Sequence, residues 1–190
     1  MTDTESPVPA SNDDNPPKPD SSSAAGSAFP VCTICGSERI VRDAWASWQT
    51  DTQDWVLEEI FDHIFCITCE HDAQIEWRTE PVPKTERIHR LNDALRTRSI
   101  RNGQIVITSG VQAMGSDLVA EARKAVAAFD AFNADNDPHD EHDFGQFTIE
   151  NEKLFFKIDY YDLSLSAHSP DASNPQVTKR ILTIMLASEY

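Results

Sequence analysis

Four cysteines stand in two pairs, "CTIC" at Cys32 and Cys35 and "CITC" at Cys66 and Cys69, with thirty residues between the pairs and no other cysteine in the chain. Two Cys-x-x-Cys turns brought side by side place four sulfurs at the corners of a tetrahedron, the arrangement that holds a zinc ion at about 2.3 Å from each thiolate. The tight turn also aims backbone amides at the sulfurs and so supports their negative charge. Four thiolates leave no open position for water or substrate, so the ion expected here is a single structural Zn2+. Redox chemistry at Cys-x-x-Cys wants a βαβ setting, which the flanking pattern lacks. Disulfides conflict with a reducing cytoplasm, the expected compartment. His63 and His71 lie near the second pair, as spare ligands that a closed set of four does not require.

The second stretch dense in reactive groups is "DNDPHDEHDFG", residues 135–145, in which Asp135, Asp137, His139, Asp140, Glu141, His142 and Asp143 can all bind metal or move protons. His142 between carboxylates is a candidate base, or an imidazolium held by them. With Asp159 and Asp162 further along, it would make a divalent-metal site for hydrolysis. The run lacks the fixed spacing of a calcium loop, however, and adjacent residues rarely face one ion. Asp135-Asn136-Asp137-Pro138 is itself a strong turn signal, because Asp and Asn bond their own backbone and Pro presets φ. A structural loop or contact surface is the expectation. Catalysis by Asp137, Glu141, His142 and Asp143 is the alternative.

The elements that must position these groups differ in character along the chain. Residues 1–29 are Pro, Ser, Ala and Asp with almost nothing to bury, and are expected to be disordered. "RIVRDAWASW" and "DWVLEEIF" read as two strands around a polar "QTDTQ" turn, followed by a third in "AQIEWR". This stretch, residues 30–80 with its two cysteine pairs, resembles a zinc ribbon. Gly36 after Cys35 suits such a turn, whereas Glu70 after Cys69 departs from it. Trp45, Trp48 and Trp55 are expected to pack a thin module and not to stack on bases. "EPVPK" marks a boundary. An α+β domain is expected over residues 84–190, with a β-hairpin and two to three helices. "TERIHRLNDALR" is a helix with Thr85 as N-cap, ended by Asn102-Gly103, and "QIVIT" is a strand. "SDLVAEARKAVAAFDAF" is a helix capped by Ser116, with Leu118, Ala122, Ala125, Val126, Phe129 and Phe132 on one face. "QFTIENEKLFFKIDYYD" is a hairpin whose inner face carries Phe147, Ile149, Leu154, Phe156, Ile158 and Tyr160. In "NPQVTKRILTIMLASEY", Asn174 and Pro175 favour a helix start, while the β-branched Ile181, Thr183 and Ile184 leave a strand open.

"LNDALR", "GQIVITSGV", "FDAFNADNDPHDEHDFG", "KIDYYD" and "TKRILTIMLASEY" together resemble a bacterial domain family of unknown function, found chiefly on alphaproteobacterial chromosomes and plasmids. The resemblance covers about the last hundred residues. The family's loop is similar to Asp-Asn-Asp-Pro-Tyr-Gly-Glu-His-Asp-Phe-Gly, so His139 and Asp140 depart from it, while Glu141, His142 and Asp143 match. It implies no activity.

The net charge is −16, from 16 basic and 32 acidic residues. Residues 1–29 carry one base and five acids, residues 30–83 three and eleven, and residues 84–190 twelve and sixteen, leaving −4, −8 and −4. Such a chain repels phosphate backbones over about a Debye length, which argues against non-specific nucleic-acid binding. The segment "KTERIHRLNDALRTRSIRNG" runs against this trend, with six bases and two acids. Arg87, Arg90, Arg98 and Arg101 are expected to pair with neighbouring carboxylates sooner than with phosphates. No apolar run reaches the roughly 20 residues of a membrane span, and the N-terminus lacks the pattern of a secretory signal. These features point to a non-enzymatic cytoplasmic accessory or regulatory protein that binds a protein partner, with a DNA-handling assembly as the expected setting. An acidic DNA mimic of the anti-restriction type is the alternative from a different class.

Overall fold

The computed structural model describes residues 27–100 and 103–190. The disorder expected for residues 1–29 thus falls almost wholly outside the described residues, as do Arg101 and Asn102. The architecture is mixed α+β, as the sequence predicts.

The cysteine-bearing part is all β. β1 (Phe29–Cys32) pairs antiparallel with β5 (Ile75–Arg78), and β2 (Ile40–Gln49), β3 (Asp54–Cys66) and the short β4 (His71–Asp72) form a second antiparallel sheet. The polar 50–53 turn joins β2 to β3 where the sequence places it. Trp48 faces Trp55, Ala46 faces Leu57 and Ala44 faces Ile60, with irregularities in register between Trp45 and Ala46 and between Arg42 and Ala44. An extra residue on β3 at the first of these keeps its apolar side chains on one face despite odd spacing.

α1 (Lys84–Arg96) follows the Pro-rich boundary. It starts two residues earlier than expected, with Pro83 and not Thr85 at the N-cap and no side-chain cap. Proline suits that place because it has no amide hydrogen to satisfy and its ring holds φ near the −57° found there. β6 (Gly103–Ile107), α2 (Ser109–Ala113), α3 (Ser116–Ala128), β7 (Phe144–Ile149), β8 (Glu152–Tyr161) and β9 (Lys179–Leu186) complete the chain, closed by a 3-10 turn at Ala187–Glu189. The sheet order is β6-β9-β8-β7, with β6 parallel to β9 and the other pairs antiparallel.

Other expectations change. The helix favoured after Pro175 is a strand: Asn174 Oδ1 still accepts the Gln176 amide at 3.0 Å, but it closes a turn, and Arg180, Leu182 and Ile184 then bury alternate side chains at strand period. β9 is an inner strand, and its two neighbours supply what Asn-Pro signals cannot reveal. Gly115, with φ 100°, takes the N-cap of α3 in place of Ser116. α3 ends at Ala128, four residues early, where Arg96 Nη1 donates to the carbonyls of Val126 and Phe129 at 2.8 and 2.9 Å. Phe129 and Phe132 still join the core from beyond the helix.

Leu118, Ala122 and Val126 of α3 pack with Leu154, Phe156 and Ile158 of β8 and Leu182 and Ile184 of β9. A second cluster joins the four cysteines to Leu91, Ala94 and Ile100. α1 therefore serves both cores, since Leu95 belongs to the first. Among the described residues no helix is long and apolar enough to cross a membrane.

Candidate metal centre and acidic loop

The two cysteine turns lie at the base of the β2–β3 hairpin. In the first, Gly36 N–H donates to Cys32 O at 2.8 Å; in the second, Glu70 N–H donates to Cys66 O at 2.9 Å. Each turn bends its chain back so that both sulfurs face inward. All four sulfurs are buried, unbridged and within 4.8 Å of one another. Cys32 and Cys69 are 3.8 Å apart and Cys35 and Cys66 3.6 Å. A regular tetrahedron of sulfurs about 2.3 Å from its centre has edges of roughly 3.8 Å. The cysteines are thus clustered in a geometry compatible with zinc binding.

Their surroundings suit a negatively charged centre. Arg87 Nε donates to Cys35 O and Arg90 Nη1 to Thr33 O, both at 3.3 Å, so α1 lays two guanidinium groups against the first turn. Hydrogen bonding to Cys35 lowers the Cys32 thiol to about 7, and Cys66 is lowered through Cys32 and Cys35, while Cys35 and Cys69 are raised by the same contacts. The two nearby histidines stand apart. His63 lies between Asp43 and Asp72, each at 2.9 Å, and these carboxylates raise it above the usual histidine range. His71 Nδ1 donates to Cys69 O at 2.6 Å.

The acidic loop is tied together by bonds from its side chains to its own backbone and to neighbouring elements. Asp137 is buried and spends both carboxylate oxygens on backbone amides, those of Glu141 at 2.8 Å and His142 at 3.0 Å. It shapes the loop as its turn signal predicts. Glu141 accepts from the Tyr160 hydroxyl at 3.2 Å, and Asn92 donates to both Glu141 O and Tyr160 Oη at 2.7 Å. Asn92 in turn accepts from Nε of Arg180, which is fully buried and lowered to about 10 by desolvation. Burial raises the Asp143 carboxyl, with Glu141 and Asp137 adding to it. Asp159 pairs with Lys157 at 2.8 Å, and Asp162 caps the turn at Ser164–Ser166. Among the described residues, Asp137, Glu141, His142 and Asp143 do not converge on one ligand position.

Two residues that sequence reasoning passed over do meet the loop. His142 Nδ1 donates to the Asp93 carboxylate at 3.0 Å, and its ring is stacked between Phe132, 3.9 Å away, and His89, 4.7 Å away. His89 and Asp93 are one turn apart on α1, a spacing that does place two side chains on one face. His89, Asp140 and His142 bring potential ligand atoms within 4.8 Å of one another. The near-parallel rings of His89 and His142, at 14°, nevertheless direct their lone pairs along separate planes. The site reads as a packed aromatic stack. Asp140 has φ 55°.

The tryptophans depart from expectation. Trp45, Trp48 and Trp55 are 64, 48 and 64% exposed, with Leu57 and Ile60 above half. They do not pack a thin core but cover a projecting hairpin. Of the basic segment, Arg90 pairs with Glu76 and Glu86 as expected, whereas Arg87 bonds a carbonyl.

Neither the curated proteins nor the solved structures hold a match to this chain. Residues 107–189 match the model of a family described as "Protein of unknown function (DUF3768)", beginning some twenty residues later than the resemblance in the sequence suggests, so that the chain from the end of β6 through the closing 3-10 turn carries a DUF3768 domain.

Proposed function

We propose that this is a non-enzymatic accessory protein, in which one structural zinc ion anchors a hairpin arm that binds a protein partner. The observation that carries this reading is the apolar face of the arm. Paired residues on antiparallel strands share a face, so Ala44, Ala46, Trp48, Trp55, Leu57 and Ile60 form one continuous stripe. Trp48 and Trp55 meet edge to face at its tip, with ring centroids 5.6 Å apart. Large apolar side chains gathered on one face mark interaction surfaces. The metal supports this role by fixing the arm's base while leaving its faces uncovered. Four thiolates in a tetrahedral set suit zinc and disfavour the octahedral, oxygen-seeking ions.

Residues 43–62 also contain six acids and no Lys or Arg. This favours a second reading, an acidic mimic of DNA that occupies a nucleic-acid-binding protein. The two readings are separated by one comparison. Partner retention is measured by co-purification from the native host with the wild-type chain, with Trp55→Ser/Leu57→Ser and with Asp54→Asn/Glu58→Gln/Glu59→Gln. An adaptor loses its partner with the apolar change. A mimic loses it with the charge change and inhibits a DNA-modifying enzyme in a salt-sensitive way. Retention of the same partner by both variants removes the arm from the function. Metal analysis returning no zinc removes its anchor.

A further inference from the structure

Between the C-terminal end of α1, the outer face of α3 and strand β6 lies a cavity of about 210 Å³. Its apolar wall is Ile105, Val126 and Ile184, and its cationic rim is Arg98, Arg123 and Lys124. Arg78, Lys84, Arg90, Arg96 and Lys157 each pair with a carboxylate. Among the described residues, Arg98, Arg123 and Lys124 form no ion pair, and they line the same cavity. Like charges gathered in this way repel one another unless an anion lies among them. Arg96 also borders the cavity, and Nε of both Arg96 and Arg123 is buried without an acceptor. Arg98 is held at φ 59°, a conformation a non-glycine residue adopts at a cost.

We infer that this cavity is a binding site for a small organic anion, one with a carboxylate or phosphate at the rim and a compact apolar body against Ile105, Val126 and Ile184. A nucleic-acid phosphate fits less well, because it brings no apolar group to the wall. A polyanion also meets the field of the whole chain, at −16, whereas a single small charge responds mainly to the three nearby cations.

The test is calorimetric titration of the zinc-loaded full chain with benzoate and phenyl phosphate, beside acetate, inorganic phosphate and the neutral benzamide. Saturable one-site binding is expected for benzoate or phenyl phosphate, roughly tenfold tighter than for the three controls. The tighter of the two tells whether a carboxylate or a phosphate ester is taken. Lys124→Gln, at an exposed position, weakens binding severalfold, and so does Arg98→Gly, which removes charge while relieving its backbone. Binding of benzamide as tight as benzoate overturns the inference. So does affinity unchanged in both variants, or no saturation by either aromatic anion at millimolar concentration.

Discussion

Gly36 and Glu70 occupy the same position in the two cysteine turns, each directly after the second cysteine, and both have positive φ, 66° and 58°. The turn demands a left-handed residue there, and only the first turn supplies glycine. The cost of that conformation to an L residue is about 1–2 kcal/mol. Glu70→Gly is therefore expected to stabilise the zinc-loaded protein by about 1 kcal/mol, part of the gain being offset by the entropy of glycine in the unfolded chain. Gly36→Ala has the opposite sign and a larger size, because its Cβ would also lie 2.8 Å from Val82 Cγ1. A loss of roughly 2–4 kcal/mol is expected. Urea unfolding at fixed zinc concentration measures both; a Glu70→Gly variant no more stable than wild type contradicts the equivalence of the two turns.

Removal of the metal should spread along α1. Leu91 and Ala94 pack on the cysteine cluster while Leu95 packs on the other core. Without an ion the four sulfurs lose what holds their mutual arrangement, and α1 loses the support of one face. Hydrogen exchange after chelation is expected to quicken in β1 to β5 and in α1, with β8 and β9 still protected. Exchange in α1 unchanged by chelator would show that the helix does not depend on the centre it touches.

The cysteine pairs, the hairpin and the helix stripes are legible in the sequence because their signals are local: i, i+3 spacing for the sulfurs, alternation for the strands, 3.6 periodicity for α3. What escapes depends on partners far along the chain. β9 is a strand because β6 and β8 flank it, although Asn174-Pro175 reads as a helix start. α3 stops short because Arg96, thirty residues upstream, takes its last carbonyls. Asp93 meets His142 across 49 positions, and no motif around either residue announces the other. The tryptophans mislead for a different reason: composition favours burying them, but whether the hairpin has anything to pack against is set by the whole fold.

Exposure of the arm predicts a contrast between function and stability. Leu57 is 61% exposed and Leu91 fully buried. Leu57→Ser is expected to move stability by no more than about 0.5 kcal/mol. Leu91→Ala, which opens a cavity beside the cysteines, costs about 2–5 kcal/mol. Equilibrium unfolding of the two variants decides this. A Leu57→Ser protein destabilised like a core variant would mean that the arm folds back on the body and is not free to bind.

Asp143 gives the acidic loop a pH signature. Its carboxyl is raised above the ordinary aspartate range, first by burial and then by Glu141 and Asp137. A raised folded-state value means that the folded protein holds the proton more tightly than the unfolded chain. The favourable contribution is complete below the unfolded value, about 3.9, and is lost as pH rises through the folded one, so the ionised group is a burden at neutral pH. Asp143→Asn keeps the shape and cannot ionise. It is expected to be more stable than wild type at neutral pH, with the difference shrinking as the pH is lowered toward about 4. Urea midpoints of both proteins at the two pH values supply the measurement. A variant less stable at neutral pH would instead mean that the carboxylate is paired there, and would restore Asp143 as a residue with a partner to serve.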